Sequence, residues 1–406
     1  MKKSRKRCDC GDPALPAVAI VANALPPYRV HLHRRIAREM SAEIRLYTLC
    51  THEIDALHAY RPPGEINATS FGPGEPSVRQ PKLRYAFAEW RKGGRILRWL
   101  ADNNVKAVVL NGYNDLGRLR ILRDCYRLAL PCFIFGDSNV LCDRAAGAKK
   151  IAKRLLLRWV LARACGFMAC GRLGRRYWEK YGAEPERIFD FPYEPDYDLV
   201  TALSAEAIAE RRARFGLKEG RRRIVFSGRF VAEKEPALLI DAFAMVALKR
   251  PDWDLVMIGA EGAPSRPQPA RLKERVPLEL AGRVSFTGFV DNQETVSALY
   301  RSSDVLCLPS SYEPWGVVVN EAAAAGLAII ASDVVGAAAE LVRDRVNGRI
   351  VPAGDPKALA EALLEVTEPK RIDRMRRSSP AVLADWRRRG DPVQGLRKAL
   401  AWAKVL

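Results

Sequence analysis

The sequence predicts two open α/β domains in tandem, each with a parallel sheet covered by helices on both faces. Short apolar runs alternate with amphipathic stretches, and this alternation restarts near the middle of the chain. The 406 residues also exceed the size of one ordinary core. Because ligands of such sheets bind at the carboxyl ends of the strands, two facing domains would enclose a cleft between them.

Five apolar runs in the first half have the length and composition of buried strands. They are AVAIV at 17–21, IRLYTLC at 44–50, KAVVLN at 106–111, CFIFGDS at 132–138 and GFMAC at 166–170. Helices are predicted near 28–40, over LGRLRILRDCYRLAL, and over LGRRYWEKYG, which Gly182 ends. The Gly- and Pro-rich residues 61–76 are predicted to form a loop.

The Pro- and Asp-rich segment DFPYEPDYD at 190–198 predicts the domain boundary. After it, six further strand-like runs alternate with helical stretches such as PALLIDAFAMVALKR and PKALAEALLEV. We therefore predict a first domain over 15–196 and a second over 197–370. Residues 371–406 are predicted to form a helical tail that packs back on the first domain.

The net charge of +20 is uneven, because residues 1–200 carry +14 of it. Such a basic half indicates an anionic partner: a nucleic acid, a phosphorylated substrate or an anionic membrane face. The basic N-terminus lacks the apolar core of a signal peptide, and no run approaches the length of a membrane span. We therefore expect a cytoplasmic protein.

Metal-binding patterns are weak in this sequence. The nine cysteines are scattered and odd in number, which favours reduced thiols over a disulfide framework. Cys8 and Cys10 form a CxC without a second pair, and the sequence contains no HExxH motif. We predict that the protein binds no metal.

Two segments of the second half carry the residue types of an anion and sugar site. In FSGRFVAEKEP, Gly228 permits a turn at a strand end, and Arg229 and Lys234 would project from that edge. A planar guanidinium fork and an ammonium together suit a diphosphate.

The second segment is PSSYEPWGVVVNEAAAAGLAIIASD at 309–333. Here Glu313 precedes a helix, Glu321 lies within it, and Gly316 lets the chain turn between them. Amides near the helix start can hold an anion or a sugar hydroxyl, and ionised carboxylates act only as acceptors. Beside two cations, these groups fit a nucleotide sugar.

Three other interpretations of these glutamates remain open. Glu313 can be a charge partner of the helix dipole, and Glu321 can lie on a solvated face. The two can also be the acid and base of a glycoside hydrolase, although such a pair needs no cations that hold phosphate.

With these motifs in an alternating order of strands and helices, the second half resembles the nucleotide-sugar domain of glycosyltransferase family 4, the group 1 retaining enzymes of GT-B fold. The resemblance covers about 223–364, from FSGRFVAEKEPALLIDAFA through VMIGAEG and VSFTGFVDNQETVSALY to VNGRIVPAGDPKALAEAL. The first domain matches more loosely, through PPYR and RIFDFPYEPD. The resemblance implies two Rossmann-like domains facing a cleft.

The resemblance also implies roles for individual residues. Arg229 and Lys234 would hold the diphosphate and stabilise the departing nucleotide, and Glu313 would bind hydroxyls of the transferred sugar. These three are the implied catalytic residues. The implied substrate-binding residues are Gly228, Glu321 at the ribose, Trp315, Gly316 and Val317 at the sugar and phosphate, and Gly288, Phe289 and Val290 at the base.

Two loops of the first domain depart from the family pattern. Many relatives have a Gly-Gly pair in the first loop, where this chain has NALPPYRVH, so Tyr28 and Arg29 would supply the contacts. Many relatives also have a histidine near 132–135, where this chain continues as GDSN. Asp137 or Ser138 would occupy that place.

The predicted function is retaining transfer of a sugar from a UDP-, GDP- or ADP-sugar to a glycan or lipid-linked acceptor, without a cofactor. A role in bacterial cell-surface polysaccharide or lipopolysaccharide synthesis is expected. The alternatives are a basic nucleic-acid-binding protein, for which no recognition motif is found, and a relative that binds nucleotide sugar without transfer.

Two basic and apolar stretches bear on membrane contact. AKKIAKRLLLRWVLARACG at 148–166 and RYAFAEWRKGGRILRWL at 84–100 interleave cations with apolar residues at helical spacing. Either stretch can rest on the inner, anionic face of the cell membrane, or can be a core helix with a solvated basic face.

Overall fold

The computed structural model describes residues 14–52, 68–72, 85–260 and 271–406. Its first domain contains a seven-stranded parallel sheet in the order β3-β2-β1-β4-β5-β6-β7. The strands are β1 (Ala17–Ala22), β2 (Arg45–Cys50), β3 (Ala68–Ser70), β4 (Val105–Asn111), β5 (Cys132–Gly136), β6 (Gly166–Ala169) and β7 (Ile188–Asp190). The predicted CxC at Cys8 and Cys10 lies outside the described residues.

Helices cover both faces of this sheet because successive strand residues point to opposite sides. Val18 and Ile20 of β1 pack in the core that includes α1, whereas Ala19 and Val21 pack in the core that includes α2 to α5. The helices are α1 (Pro27–Glu39), α2 (Ala86–Asp102), α3 (Leu116–Arg127), α4 (Gly147–Leu161) and α5 (Gly171–Lys180).

The second domain contains a six-stranded parallel sheet in the order β10-β9-β8-β11-β12-β13. Its strands are β8 (Arg222–Ser227), β9 (Trp253–Ile258), β10 (Val284–Gly288), β11 (Val305–Leu308), β12 (Ala328–Ser332) and β13 (Gly348–Val351). Its helices are α6 (Tyr197–Thr201), α7 (Ala205–Arg214), α8 (Pro236–Val246), α9 (Arg271–Glu274), α10 (Gln293–Arg301), α11 (Val317–Ala324), α12 (Ala338–Leu341) and α13 (Pro356–Val366).

Two helices complete the chain, and they lie on different domains. The long helix α14 (Pro369–Arg389) packs against α11, α12 and β12 of the second domain. The last helix, α15 (Pro392–Trp402), packs against β7 and α1 of the first domain. Of the predicted tail, therefore, α15 is the helix that returns to the first domain.

One local prediction was wrong. Residues 61–76 were expected to be loop, yet β3 occupies Ala68–Ser70 and pairs with β2. The segment ATS has no apolar run, and β3 is an edge strand, so hydrophobic patterning could not reveal it. Residues 61–67 and 73–76 lie outside the described part of the chain.

The two domains meet through loops that follow the carboxyl ends of their strands. The loop after β5 contacts the loop after β11, and Arg172 at the start of α5 contacts Glu340 of α12. These contacts give the predicted interdomain cleft, with the strand ends of both sheets directed towards it.

Candidate functional site

The loop after β8 carries the predicted cations and is fixed by close backbone packing. Gly228 has φ +154°, and its carbonyl oxygen would lie 1.9 Å from a Cβ added at Gly259. Gly259, which follows β9, therefore has to be glycine for the two loops to cross. Arg229 comes next, just beyond the carboxyl end of β8, and is half-buried.

Lys234 and Glu313 form an ion pair between two adjacent loops. The Lys234 Nζ donates to Glu313 Oε2, and their side chains are only 17% and 10% exposed. The backbone strengthens this link, because the N–H groups of Ser311 and Tyr312 donate to the Glu233 carbonyl at 3.0 and 3.2 Å. Lys234 and Glu313, which were predicted from separate segments of the sequence, are thus in direct contact.

Gly316 forms the turn between Glu313 and helix α11. Its φ of +89° lies in the left-handed region that favours glycine. A Cβ at this position would lie 3.0 Å from Glu313 Cγ, so the missing side chain also leaves room for the carboxylate. Val317 is the first residue of α11, so the start of this helix follows the turn at Gly316 directly.

Glu321 is buried within α11, and its carboxylate has partners on α10. Gln293 Nε2 donates to Oε1 at 2.9 Å, and the Tyr300 hydroxyl donates to Oε2 at 3.1 Å. Burial raises the pKa of Glu321 to about 7, although both hydrogen bonds oppose that shift. The two glutamates of the segment therefore have different partners and different electrostatic surroundings.

The predicted base-binding residues follow β10. Gly288 has φ +73°, and its carbonyl accepts a hydrogen bond from the Gly259 N–H at 3.0 Å. Phe289 is 55% exposed and Val290 is half-buried. This loop therefore lies beside the loop after β9, and it presents an aromatic ring to solvent.

The first domain contributes Tyr28 and Arg29 from the start of α1. Arg29 donates to the Tyr193 hydroxyl at 2.9 Å and to the Ala24 carbonyl at 3.2 Å. The Tyr28 and Tyr193 rings meet edge to face at 4.9 Å. Both predicted residues thus contact the segment that crosses between the domains.

Asp137 links the electrostatics of the two domains. Burial raises the pKa of Asp137, Arg29 lowers it, and the Glu313 carboxylate raises it further. Asp137 therefore lies close enough to Arg29 of the first domain and Glu313 of the second for both charges to affect its pKa. The neighbouring Ser138 hydrogen bonds to Tyr177 of α5 within the first domain.

Asn139 is a buried residue of this site that sequence reasoning missed. Its Oδ1 accepts from the N–H groups of Leu141 and Cys142, both at 2.9 Å. Its Nδ2 contacts three backbone carbonyls of the second domain, those of Glu313 at 3.3 Å, Pro314 at 3.1 Å and Val334 at 3.0 Å. The first domain therefore holds the backbone of the Glu313 loop directly.

Two more interdomain contacts were also missed. Trp315 is buried, and its indole Nε1 donates to the Tyr193 carbonyl at 3.0 Å. Its side chain therefore stabilises the contact between the two domains. The Glu340 carboxylate accepts from the Arg172 N–H at 2.7 Å, at the start of α5. These residues are more than 100 positions apart in the chain, and no local pattern connects them.

The carboxyl end of the first sheet holds a second buried polar cluster. Arg118 donates to the Asn111 carbonyl at 2.7 Å, and His52 Nε2 lies 3.7 Å from Glu89 Oε1. Burial raises the pKa of Glu89, but His52 and Lys92 lower it to about 2. This buried polar cluster thus lies at the carboxyl end of the first sheet, the edge at which ligands of such sheets bind.

The arrangement can bind an anionic, hydroxyl-rich ligand. It offers an ammonium, a guanidinium, the start of a helix and carboxylates that accept hydrogen bonds. Among the described residues, no three His, Cys, Asp or Glu side chains gather as a metal site would require. The absence of a metal requirement stays a prediction.

Solved structures define the class of fold. Sucrose-phosphate synthase from Thermosynechococcus elongatus superimposes with a TM-score of 0.73 at 17% identity, covering 96% of this chain and 100% of that chain. HepE of Anabaena, in complex with UDP and glucose, superimposes with a TM-score of 0.70 at 18% identity, again over 96% and 100%. The protein has the GT-B fold of two Rossmann-like domains, as predicted.

The sequence comparison then gives a family match for the second domain. Residues 207–380 match the family described as group 1 glycosyl transferases. This match, which covers less than half of the chain, confirms the predicted resemblance of the second domain to the group 1 glycosyl transferases. Phosphatidyl-myo-inositol mannosyltransferase of Mycolicibacterium smegmatis is 35% identical over 153 residues, which are 37% of each chain. The chain spans 37–43% of the length of three curated relatives that it matches.

Proposed function

We propose that the protein is a retaining glycosyltransferase of family 4 that moves a sugar from a nucleotide sugar to a glycan or lipid-linked acceptor. The observation that carries this proposal is the Lys234–Glu313 pair at the start of α11, opposite Arg29 and Asp137 of the first domain. Cations and hydroxyl acceptors then line one cleft, which is what a sugar diphosphate requires.

In this proposal the donor lies along the second domain. Arg229 and Lys234 bind the diphosphate, and the start of α11 adds backbone N–H groups. Glu321 accepts hydrogen bonds from the ribose, and the loop at Gly288, Phe289 and Val290 contacts the base. Gln293 and Tyr300 orient the Glu321 carboxylate through hydrogen bonds at 2.9 and 3.1 Å.

The chemistry follows from where charge develops. Transfer breaks the bond between the anomeric carbon and the donor phosphate, which leaves negative charge on the diphosphate. Lys234 and Arg229 stabilise that charge, as preorganised donors do at an oxyanion. Glu313 positions the transferred sugar through its hydroxyls while its ion pair with Lys234 holds both groups in place. The acceptor hydroxyl bonds to the anomeric carbon, and its proton passes to the departing diphosphate.

The acceptor is proposed to enter from the first domain. The polar cluster of Arg118, His52 and Glu89 lies at the carboxyl end of that sheet, and the relative from Mycolicibacterium smegmatis bears a name that specifies a phosphatidyl lipid. This supports a glycan or lipid-linked acceptor in cell-surface polysaccharide or lipopolysaccharide synthesis.

Helix α4 supports contact with the inner face of a membrane. Ile151 and Leu155 are 64% and 65% exposed, and Lys149, Lys150 and Arg154 are exposed beside them. None of the helices in the described ranges has the length and apolar character needed to cross a bilayer. The proposal is therefore a cytoplasmic enzyme that rests on the membrane surface.

Kinetics of two site variants test the proposal. A panel of UDP-, GDP- and ADP-sugars would be assayed for release of the nucleoside diphosphate, and the anomer of the product determined by NMR. Lys234→Ala and Glu313→Gln are expected to lower turnover by about 100-fold, the range seen for charge-stabilising groups. Lys249→Ala and Glu279→Gln, at exposed positions, serve as controls. Full turnover in both site variants would refute the assignment, and nucleotide binding without turnover in the wild type would favour a binding protein.

A further inference from the structure

Four arginines converge on one cavity on the outer face of the first domain. The cavity has a volume of about 420 Å³, lies between α2 and α3, and is lined by Arg91, Gly94, Arg95, Arg98 and Arg120. Every charged residue in this lining is a cation. Like charges held around one space repel each other, so an anion placed there would relieve that cost.

The cavity is shaped by Gly94. A Cβ at this position would lie 2.7–2.9 Å from the guanidinium atoms of Arg120, which therefore rests directly on the α2 backbone. Arg120 also donates to the Trp90 carbonyl at 2.9 Å, and its guanidinium lies 4.9 Å from the Trp90 ring centroid. These contacts orient the guanidinium without neutralising its charge.

The carboxylate that Arg120 faces is shared with a second arginine. Asp124 lies 3.7 Å from Arg120 Nε, beyond hydrogen-bond distance, and pairs more closely with Arg123 at 2.7 Å. Arg120 Nε is buried and has no hydrogen-bond partner among the described residues. On the other wall, Arg95 donates to the Phe71 carbonyl at 2.8 Å.

Two exposed apolar side chains lie one helical turn from residues that line the cavity. Phe87 lies one turn before Arg91 on α2, is 64% exposed, and has the Arg91 guanidinium 4.3 Å from its ring centroid. Leu116 lies one turn before Arg120 on α3 and is 44% exposed. A phosphate carried next to apolar groups would match this combination.

We propose that the arginine cavity binds the phosphate group of a phosphate ester. Guanidinium groups match phosphate oxygens in a planar, bidentate geometry that lysine cannot provide. The phosphate can come from the head group of an anionic phospholipid or from a soluble phosphate ester. The site goes beyond the proposed donor site, because it is built on the outer faces of α2 and α3 rather than on the loops of the interdomain cleft.

Two kinds of variant test the cavity. The double variant Arg91→Glu/Arg98→Glu reverses charge at the rim, and its matched control Arg214→Glu/Arg374→Glu makes the same charge change at exposed positions of α7 and α14. Gly94→Ala changes no charge but forces the Arg120 guanidinium to move. Loss of binding in Gly94→Ala would show that binding depends on the geometry of the cavity and not only on the positive charge of the surface.

Binding would be measured with two probes on the full chain. Vesicle flotation compares phosphatidylglycerol mixed into phosphatidylcholine with phosphatidylcholine alone, and calorimetry titrates sn-glycerol 3-phosphate. We expect about a tenfold loss of binding in both cavity variants, equivalent to about 1.4 kcal/mol, and little change in the control. Loss confined to vesicles identifies a lipid head group, and loss with glycerol 3-phosphate identifies a soluble ester.

The proposal is overturned if the cavity variants and the control behave alike with both probes. UDP binding, measured in parallel, tests the proposed donor site independently of the cavity. Cavity variants that retain UDP binding show that the second domain is intact, whichever result the phosphate probes give.

Discussion

Replacement of Asn139 by alanine tests whether the first domain holds the Glu313 loop in place. Asn139 is 1% exposed, and its amide joins the loop after β5 to the backbone carbonyls of Glu313, Pro314 and Val334. Alanine would leave the Pro314 and Val334 carbonyls and the Cys142 N–H without these partners. The Glu313 carbonyl keeps its hydrogen bond from the Gly336 N–H at 3.2 Å, and the Leu141 N–H belongs to an exposed residue. At about 1 kcal/mol for each buried group, the loss is about 3 kcal/mol.

A loss of this size is measurable by calorimetry. For domains of this length it corresponds to a melting temperature lower by roughly 6–12 °C. Because the lost contacts cross the cleft, small-angle scattering should also show a larger radius of gyration. Release of the Glu313 loop should lower nucleotide-sugar turnover as well.

Asn114→Ala is the matched control, because Asn114 is exposed on the same domain. Equal melting temperatures and equal scattering for the two variants would show that Asn139 does not hold the domains together. Asn139→Asp should be at least as damaging as alanine at neutral pH, since its carboxylate would face carbonyl oxygens and the charge of Glu313.

Two further predictions concern Glu321 and Gly395. The folded-state pKa of Glu321 is raised to about 7 from an ordinary value near 4.5, so the folded protein binds the extra proton. Stability should therefore fall as pH rises from about 4.5 to about 7, by up to about 3 kcal/mol. Glu321→Gln should flatten this part of the curve in urea titrations, and parallel curves for the two proteins would contradict the reasoning. Gly395 lets α15 approach β7, because an added Cβ would lie 1.6 Å from the Asp190 carbonyl oxygen. Gly395→Ala should cost about 1–3 kcal/mol and expose α15 to proteolysis, whereas Gly282→Ala, with open space around it, should not; similar cleavage of both would refute the close contact.

Most of the fold was predictable because its strands are buried on both faces. Such strands form continuous apolar runs, and β1, β4, β8 and β12 could each be recognised in this way. The edge strand β3 could not, since Ala68–Ser70 has no apolar run and its residues are only half-buried.

The candidate site was predictable only where its residues share a motif. Glu313, Gly316 and Glu321 lie in one strand–loop–helix segment, and Lys234 follows a second strand at the same sheet edge. The pairing of Lys234 with Glu313 adds a contact that spacing alone could not establish. Whether each predicted residue acts on substrate is for the kinetic variants to decide.

The sequence by itself predicted most of the strands and helices in order, the second-domain motifs and the resemblance to the group 1 glycosyl transferases, because each of these depends on residues close together in the chain. Only the tertiary structure decided that Asn139 holds the Glu313 loop, that Trp315 serves the domain interface through Tyr193, and that four arginines surround one cavity. Those contacts join separate elements, and most of them join different domains. Their partners are set by how the elements pack, which no local pattern encodes.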